Sequence, residues 1–253
     1  MPVLPHAQPY RAPGGPTGVL LLHGFTGSPS SLRPWAESLH DNGCTVSVPR
    51  LPGHGTTWQE LNATPWQEWY DEAARGLRQL RDDCETVFLA GLSMGGCLAL
   101  RLAELRGEDI AGLLLVNPAV ATNDRRLLAT PVLKRLVRSA KGITGDIRKP
   151  GVVEDGYDRV PLHALDSMRA MWRVTVEQLG SVTAPLLLFR SAVDHVVDPL
   201  SAQLITQRVS SADVTERMLD HSFHVATLDY DAELIFRESV DFIHSRTRSH
   251  DAL

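Results

Sequence analysis

Ser93 is the side chain of this sequence that is best placed to act as a nucleophile. It lies in the run Gly91-Leu92-Ser93-Met94-Gly95-Gly96, directly after the apolar stretch 87–90 and before an Ala/Leu-rich stretch of helical character. This strand-turn-helix context is that of a nucleophile elbow, whose glycines leave room for the neighbouring strand and helix. The following helix points the positive end of its dipole at a forming oxyanion. The pattern therefore predicts attack by Ser93 on a carbonyl carbon.

After a nucleophile elbow, the catalytic residues follow one another along the chain as serine, acid and histidine. A carboxylate partner is therefore expected just beyond a later strand. Asp194 stands directly after the apolar stretch 186–189 and fits that position. Asp198 is a competitor, but it precedes Pro199, and an Asp-Pro pair suits a helix N-cap followed by the first helical residue. Asp194 is therefore the preferred acid.

The base should be a histidine after the last strand, because an unassisted serine hydroxyl is a weak nucleophile at neutral pH. His221 and His224 both follow the last strand candidate, 214–219, so the residues alone leave two candidates in one loop. His195 adjoins the acid and is expected to point elsewhere. His23, at the end of the first long strand, is interpreted as a hydrogen-bonding support rather than a base.

An oxyanion hole needs two backbone donors, one of them on the residue after the nucleophile. That residue is Met94. The second donor is expected in the loop His23-Gly24-Phe25-Thr26-Gly27, with the N–H of Phe25 as the best candidate. Gly24 and Gly27 would let this loop approach a substrate closely.

The elements that must position these residues alternate between strand and helix. Continuous rather than alternating apolarity is typical of strands that are covered by helices on both faces, as in a parallel sheet. The sequence therefore predicts an α/β fold with a doubly wound, mostly parallel sheet. The strand candidates are 19–22, 45–48 (weaker), 87–90, 112–116, 186–189 and 214–219, and the helix candidates are about 30–41, 65–81, 95–106, 162–180, 199–209 and 230–245.

One stretch interrupts this alternation, between Asn117-Pro118 and Ala184-Pro185. A structureless loop of roughly 65 residues is improbable in a compact domain. The sequence therefore predicts one domain over 1–253, with a helical lid inserted at about 119–183. Met168, Met171 and Trp172 recur at helical spacing there, and they would either face an acyl chain or pack the lid onto the core.

Composition limits the classes of protein that remain. With 43% apolar residues among 253, the chain can bury a sizeable core, and a net charge of −5 disfavours nucleic-acid binding. Cys44, Cys84 and Cys97 form an odd, widely spaced set, which favours reduced packing residues. No signal peptide or membrane-length apolar run is found, so a cytoplasmic protein without integral membrane association is expected. No metal or other cofactor is predicted, and the oligomeric state is expected to be a monomer or homodimer.

Several motifs together resemble the bacterial carboxylesterase and monoacylglycerol lipase branch of the α/β-hydrolases. They are LLLHGFTGSP at 20–29, PGHG at 52–55, GLSMGG at 91–96, Asp194 with Val196-Val197 following, and His224 with an aliphatic run up to Asp229. The resemblance implies an α/β-hydrolase fold, a triad of Ser93, Asp194 and His224 rather than His221, and an oxyanion hole at Phe25 and Met94. It also implies short- to medium-chain acyl esters as substrates, including monoacylglycerols.

Two other classes use similar residues. The same triad could serve an acyltransferase or a carbon–carbon bond hydrolase, and turnover of simple esters with water as acceptor would distinguish an ester hydrolase from both. A catalytically idle binding protein could also keep the fold, because fold alone does not establish activity. An idle protein has no need for a strained serine between glycines, so the ester hydrolase remains the leading hypothesis.

Overall fold

The computed structural model describes residues 2–142 and 145–247 and shows a mostly parallel β-sheet flanked by helices. The strands of the described chain are β1 (Tyr10–Ala12), β2 (Thr17–Leu22), β3 (Thr45–Val48), β4 (Thr86–Leu92), β5 (Gly112–Val116), β6 (Ser139–Lys141), β7 (Arg159–Pro161), β8 (Leu186–Ser191) and β9 (Val214–Leu219). Within the described residues, seven of them form one sheet in the order β1-β3-β2-β4-β5-β8-β9. Only β1 runs antiparallel to its neighbour in that sheet, and β6 pairs with β7 in a separate antiparallel ribbon.

Helices cover both faces of the sheet. They are α1 (Arg33–Asp41), α2 (Trp58–Ala63), α3 (Trp66–Asp83), α4 (Met94–Arg106), α5 (Thr130–Leu136), α6 (Leu162–Gln178), α7 (Leu200–Arg208) and α8 (Ala232–Thr247). Alternate residues of β2 show the two layers: Leu20 and Leu22 pack with α3 and α4, while Val19 and Leu21 pack with α1 and α8. Burial on both faces explains why the central strands are continuously apolar.

The six strands and six helices expected from the sequence are confirmed, with ends that shift by a few residues. β1 was not expected, since Tyr10-Arg11-Ala12 is short and carries no apolar run. α2 and α5 are also short, and their patterns are too brief to show a helical period. α7 begins at Leu200, one residue later than the Asp-Pro pair indicated.

The residues between β5 and β8, 117–185, are here called the connecting segment. It contains α5, the β6–β7 ribbon and α6, so it is structured, as its length required. Met168 and Met171 are buried in the same apolar cluster as α4, and the Cys97 thiol contacts the Thr175 hydroxyl at 3.6 Å. These contacts favour core packing over an acyl-facing role for the two methionines.

The three cysteines are free, as expected. Burial raises the pKa of Cys44 to about 11 and that of Cys97 to about 12, so both thiols are protonated at neutral pH. In the part of the chain that the structure describes, no helix combines the length and apolarity needed to cross a membrane.

Candidate active site

Ser93 occupies the turn between β4 and α4 in a strained backbone conformation. Its φ of +55° and ψ of −118° lie in a sparsely populated region, which costs a non-glycine residue about 1–3 kcal/mol. Backbone bonds hold it there: its N–H donates to the Val116 carbonyl at 3.0 Å, and its carbonyl accepts from Gly96 and Ala119. The turn therefore presents the hydroxyl at the carboxyl end of the sheet.

The glycines around Ser93 are required by close backbone approaches. A Cβ on Gly95 would lie 1.8 Å from the Leu22 carbonyl oxygen, and a Cβ on Gly91 would lie 2.5 Å from the Gly95 carbonyl carbon and oxygen. Backbone atoms cannot move aside as a flexible side chain can. The steric reason expected for the two glycines is thus confirmed.

The loop that follows β2 lies against the nucleophile. A Cβ on Gly24 would be 3.5 Å from the Ser93 Cβ, so this backbone passes directly beside the serine. Among the described residues, the backbone N–H groups of Phe25 and Met94 have no hydrogen-bond acceptor. Met94 is the first residue of α4, whose leading N–H groups lack intrahelical partners. Both predicted donors are therefore available at the edge where Ser93 lies.

His23 supports this loop through hydrogen bonds at both of its ring nitrogens. Burial lowers its pKa to about 4, so the ring is neutral at pH 7. Its Nδ1 is 3.0 Å from the Gly24 carbonyl oxygen, and its Nε2 accepts the Leu51 N–H at 3.1 Å. These two bonds set the tautomer, and they tie the strand end to the buried PGHG turn, as the support interpretation expected.

His224 and Asp194 form a buried hydrogen-bonded pair. The His224 Nδ1 is 2.8 Å from Asp194 Oδ2, and only 8% and 7% of the two side chains are exposed. The other carboxylate oxygen accepts the N–H groups of Val196 and Val197, both at 2.8 Å. With Nδ1–H donated to the carboxylate, Nε2 is the ring nitrogen left to accept a proton.

Burial and charge oppose each other at this pair. Burial alone would lower the pKa of His224, but the charge and hydrogen bond of Asp194 outweigh it, so the pKa of His224 is raised. Burial alone would likewise raise the pKa of Asp194, and His224 together with the two N–H donors lowers it instead. The pair therefore favours an ionised carboxylate beside an imidazole that readily accepts a proton.

The competing candidates lie elsewhere. His221 is exposed, and its backbone N–H donates to Asp231. The Asp198 carboxylate accepts the N–H of Leu200 at the start of α7 and that of Asn123. It therefore lies at the helix start, as expected, but the N-cap position falls on Pro199 rather than on Asp198. The His195 ring bonds Asp146, with its Nδ1 at 2.8 Å from Asp146 Oδ1, whereas the Asp194 carboxylate pairs with His224.

Asn117 is a structural member of this region that the sequence did not single out. At the end of β5, with φ of +43°, its side-chain NH₂ donates to the Ser191 hydroxyl at 2.9 Å and to the His224 carbonyl at 2.8 Å. Its side-chain oxygen accepts the Ser191 N–H at 2.8 Å. An Asn directly after a buried strand, tolerant of positive φ, was the available signal.

Glu154 is a second residue of this region that no sequence pattern indicates. A Cβ on Gly27 would be 3.0 Å from Glu154 Oε1, so this carboxylate of the connecting segment reaches the loop beside Ser93. Burial raises the pKa of Glu154, and its charge contributes to the raised pKa of His224. No local pattern around Glu154 indicates this contact, because it depends on how the connecting segment folds back.

A doubly wound sheet that carries a strained serine after β4 and a carboxylate–imidazole pair after β8 and β9 defines an α/β-hydrolase of the serine-hydrolase type. Residues 17–231 match the family model described as "Serine aminopeptidase, S33" (Hydrolase_4), and the chain belongs to that family.

Named relatives cover almost the whole chain. A thermostable monoacylglycerol lipase of Bacillus sp. (strain H-257) is 40% identical over 243 residues, which are 95% of this chain and 96% of the relative. A carboxylesterase of Bacillus subtilis (strain 168) is 25% identical over 93% of this chain and 96% of its own length. A solved structure from work on LipS and LipT, two metagenome-derived lipolytic enzymes, superposes with a TM-score of 0.94 at 38% identity, covering 96% of this chain and 100% of that one.

Proposed function

We propose that this chain hydrolyses carboxylic esters through an acyl-enzyme on Ser93, with His224 as general base and Asp194 as its orienting acid. The observation that carries the proposal is the 2.8 Å bond from the buried His224 Nδ1 to Asp194, at the same sheet edge as the strained Ser93 turn. An imidazole that is oriented by a carboxylate can activate a neighbouring serine as a nucleophile. The relatives named as lipases and esterases support ester chemistry.

The proposed reaction has two halves. In the first, His224 Nε2 takes the proton of the Ser93 hydroxyl while the oxygen attacks the ester carbonyl carbon, and the N–H groups of Phe25 and Met94 stabilise the tetrahedral oxyanion. The carbon–alkoxide bond then breaks, and the imidazolium protonates the departing alcohol. In the second half, water loses a proton to His224 and attacks the acyl carbon, and the carboxylic acid leaves as Ser93 regains its proton.

The proposed substrates are short- to medium-chain acyl esters, including monoacylglycerols. Nearly full-length similarity to a monoacylglycerol lipase supports this class. Glu154 adds a specific argument, since a carboxylate beside the Ser93 loop is a strong acceptor for hydroxyl groups on the alcohol part of an ester. We further propose that the lid predicted at about 119–183, which is most of the connecting segment, selects the substrate.

A second candidate function is favoured by the same carboxylate. The family description names an aminopeptidase, and such an enzyme needs a negative group to bind the free α-ammonium of its substrate. Glu154 lies where it could pair with that ammonium. The triad would then cleave an amide in place of an ester.

The test is an initial-rate panel for wild type and Ser93→Ala. The substrates are p-nitrophenyl esters of increasing acyl length, 1-monoacylglycerols, and aminoacyl p-nitroanilides with free and acetylated α-amino groups. We expect turnover of the first two groups with water as acceptor, and no turnover by Ser93→Ala. Turnover of only the free-amino anilides would favour the aminopeptidase. Activity that survives in Ser93→Ala would contradict the proposed nucleophile.

A further inference from the structure

Asp146, in the connecting segment, bridges the two loops that carry the proposed acid and base. These are the acid loop, 192–199, between β8 and α7, and the histidine loop, 220–231, between β9 and α8. One carboxylate oxygen, Oδ2, accepts the backbone N–H of His195 at 3.1 Å and the backbone N–H of His224 at 3.2 Å. The other oxygen, Oδ1, is 2.8 Å from the His195 ring Nδ1. Asp146 thus contacts the residue after Asp194 and the proposed base itself, and its side chain is only 9% exposed.

A second set of bonds fixes the same part of the connecting segment. The Asp146 carbonyl accepts the N–H of Val225, the residue after His224. The carboxylate of Asp229 accepts the N–H groups of Arg148 and Lys149 from the connecting segment. It also accepts the N–H of Phe223, at 2.9 Å. Residues 145–149 are therefore bonded to the histidine loop by two carboxylates, that of Asp146 in the connecting segment and that of Asp229 in the histidine loop.

These bonds matter because the two loops come from different strands. Asp194 follows β8 and His224 follows β9, so the 2.8 Å bond between them requires that the loops keep a fixed separation. Asn117 ties the His224 carbonyl to the end of β8 from the sheet side. Asp146 ties the His224 N–H to the acid loop from the side of the connecting segment. A shift of about 1 Å at such a position can cost on the order of 10²-fold in rate.

We infer that Asp146 is a positioning residue for the triad, which holds the acid loop and the histidine loop in register so that the His224 imidazole stays aligned with Ser93. This inference rests on the proposed function. It assigns to the connecting segment a part in assembling the catalytic pair, in addition to substrate selection.

Electrostatics supports the same role. The charges of three carboxylates, Asp194, Glu154 and Asp146, raise the pKa of His224 against the effect of burial. Removing the charge of Asp146 should therefore lower the pKa of His224. The acidic limb of kcat/KM, which reports protonation of the base in the free enzyme, should then move to lower pH.

The experiment compares Asp146→Ala, Asp146→Asn and Asp146→Glu with wild type. The alanine variant loses every acceptor, so we expect kcat to fall on the order of 10- to 100-fold with KM within about twofold. The rate constant for covalent labelling by a fluorophosphonate should fall in parallel. The asparagine variant keeps an oxygen for both N–H groups, so most of kcat should return while the acidic limb shifts to lower pH. The glutamate variant keeps the charge but displaces the oxygens, so kcat should fall without that shift.

Asp155→Ala is the matched control, because Asp155 is an exposed carboxylate of the same segment whose ion-pair partner is His6, at 3.9 Å. It should retain wild-type kcat. His195→Ala removes the half-exposed ring, with its contacts to Asp146 and Phe223, but keeps the backbone N–H that Asp146 accepts, and it should cost about twofold or less.

Two results would overturn the inference. One is an Asp146→Ala variant that is folded and as active as the Asp155→Ala control. The other is an Asp146→Asn variant that loses as much kcat as the alanine variant, because the acceptor oxygen would then not be what matters. Should Asp146→Ala fail to fold, the asparagine and glutamate variants decide alone. A failure of the proposed function itself is recognised separately, because Ser93→Ala would then remain active, or wild type already labelled by the fluorophosphonate would still turn over esters.

Discussion

The turn around Ser93 and the connecting segment meet at the same sheet edge, but they are built in different ways. The turn is held almost wholly by backbone: Ser93 is fixed by main-chain bonds, and Gly95 sits where no Cβ fits beside Leu22. The connecting segment acts through side chains such as Asp146 and Glu154, which reach across from distant sequence positions. Backbone positions that admit only glycine leave a motif in the sequence, whereas side-chain contacts from distant positions do not.

The largest expected effect is a loss of stability when the backbone packing around Ser93 is disturbed. A Cβ on Gly95 would meet backbone atoms that cannot yield, so Gly95→Ala should destabilise the fold by more than about 4 kcal/mol. In the connecting segment, Gly151 has φ of +80° but nothing within 4 Å of its Cβ position. Gly151→Ala should cost only about 1–2 kcal/mol. Thermal unfolding of both variants measures the difference, and equal Tm values would contradict the account.

This contrast explains how far the sequence alone could lead. The sheet and its flanking helices were predictable because buried strands are continuously apolar and α3 repeats Trp69, Ala73 and Leu77 with a helical period. Ser93 and its glycines were predictable because the close backbone approaches admit only glycine at Gly91 and Gly95, which leaves a compact motif around the serine. His224 could be chosen over His221 only through the resemblance to a family.

The remainder depended on tertiary folding. Glu154 and Asp146 carry no local signature, since each acts on a loop that is distant in the chain. Asn117 offered one weak signal, its place directly after a buried strand, but its contact with the His224 loop is also distant in the chain. The short elements α2, α5 and the β6–β7 ribbon are specified by packing rather than by a period of their own.

The next effect concerns catalysis at the sheet edge. Asp194→Asn keeps the shape of the side chain but removes the charge that stabilises the imidazolium and sets the His224 tautomer. We expect kcat to fall roughly 10⁴-fold, with Tm changed far less than by Gly95→Ala. Asp198→Asn is the matched control, because the Asp198 carboxylate bonds the Leu200 N–H at the start of α7 rather than His224, so kcat should be nearly unchanged. Near-wild-type activity of Asp194→Asn would show that the acid is assigned wrongly.

A smaller effect is expected from Glu154, a side chain of the connecting segment. Glu154→Gln removes a negative charge that raises the pKa of His224, so the acidic limb of kcat/KM should move to lower pH. If Glu154 also binds hydroxyl groups, KM for 1-monoacylglycerols should rise more than KM for p-nitrophenyl esters of the same acyl length. A pH–rate profile with both substrates measures the two effects. Identical KM changes for the two would remove Glu154 from alcohol binding.

The smallest expected effect lies where the two regions are joined, between α4 and α6. Arg101 donates to Glu104 at 2.7 Å and to Gln178 at 2.9 Å, and burial raises the pKa of Glu104 to about 7. The folded state therefore holds this proton more tightly than the unfolded state. The contribution of Glu104 to stability is greatest below about pH 4.5 and declines as the pH rises towards 7.

Glu104→Gln removes that titration. The free energy of unfolding, measured by denaturant between pH 4.5 and 7.5, should depend less steeply on pH in the variant than in wild type. Parallel pH profiles for the two proteins would show that Glu104 titrates normally.

The proposed mechanism requires a covalent acyl-enzyme on Ser93 that forms with help from His224 and Asp194. Rapid-quench mass spectrometry of the enzyme during turnover of a p-nitrophenyl ester would detect this intermediate. We expect a mass increase of one acyl group, located on the peptide that contains Ser93, absent in Ser93→Ala and formed far more slowly in Asp194→Asn. Acylation of a different residue, or turnover of the ester by Ser93→Ala, would contradict it.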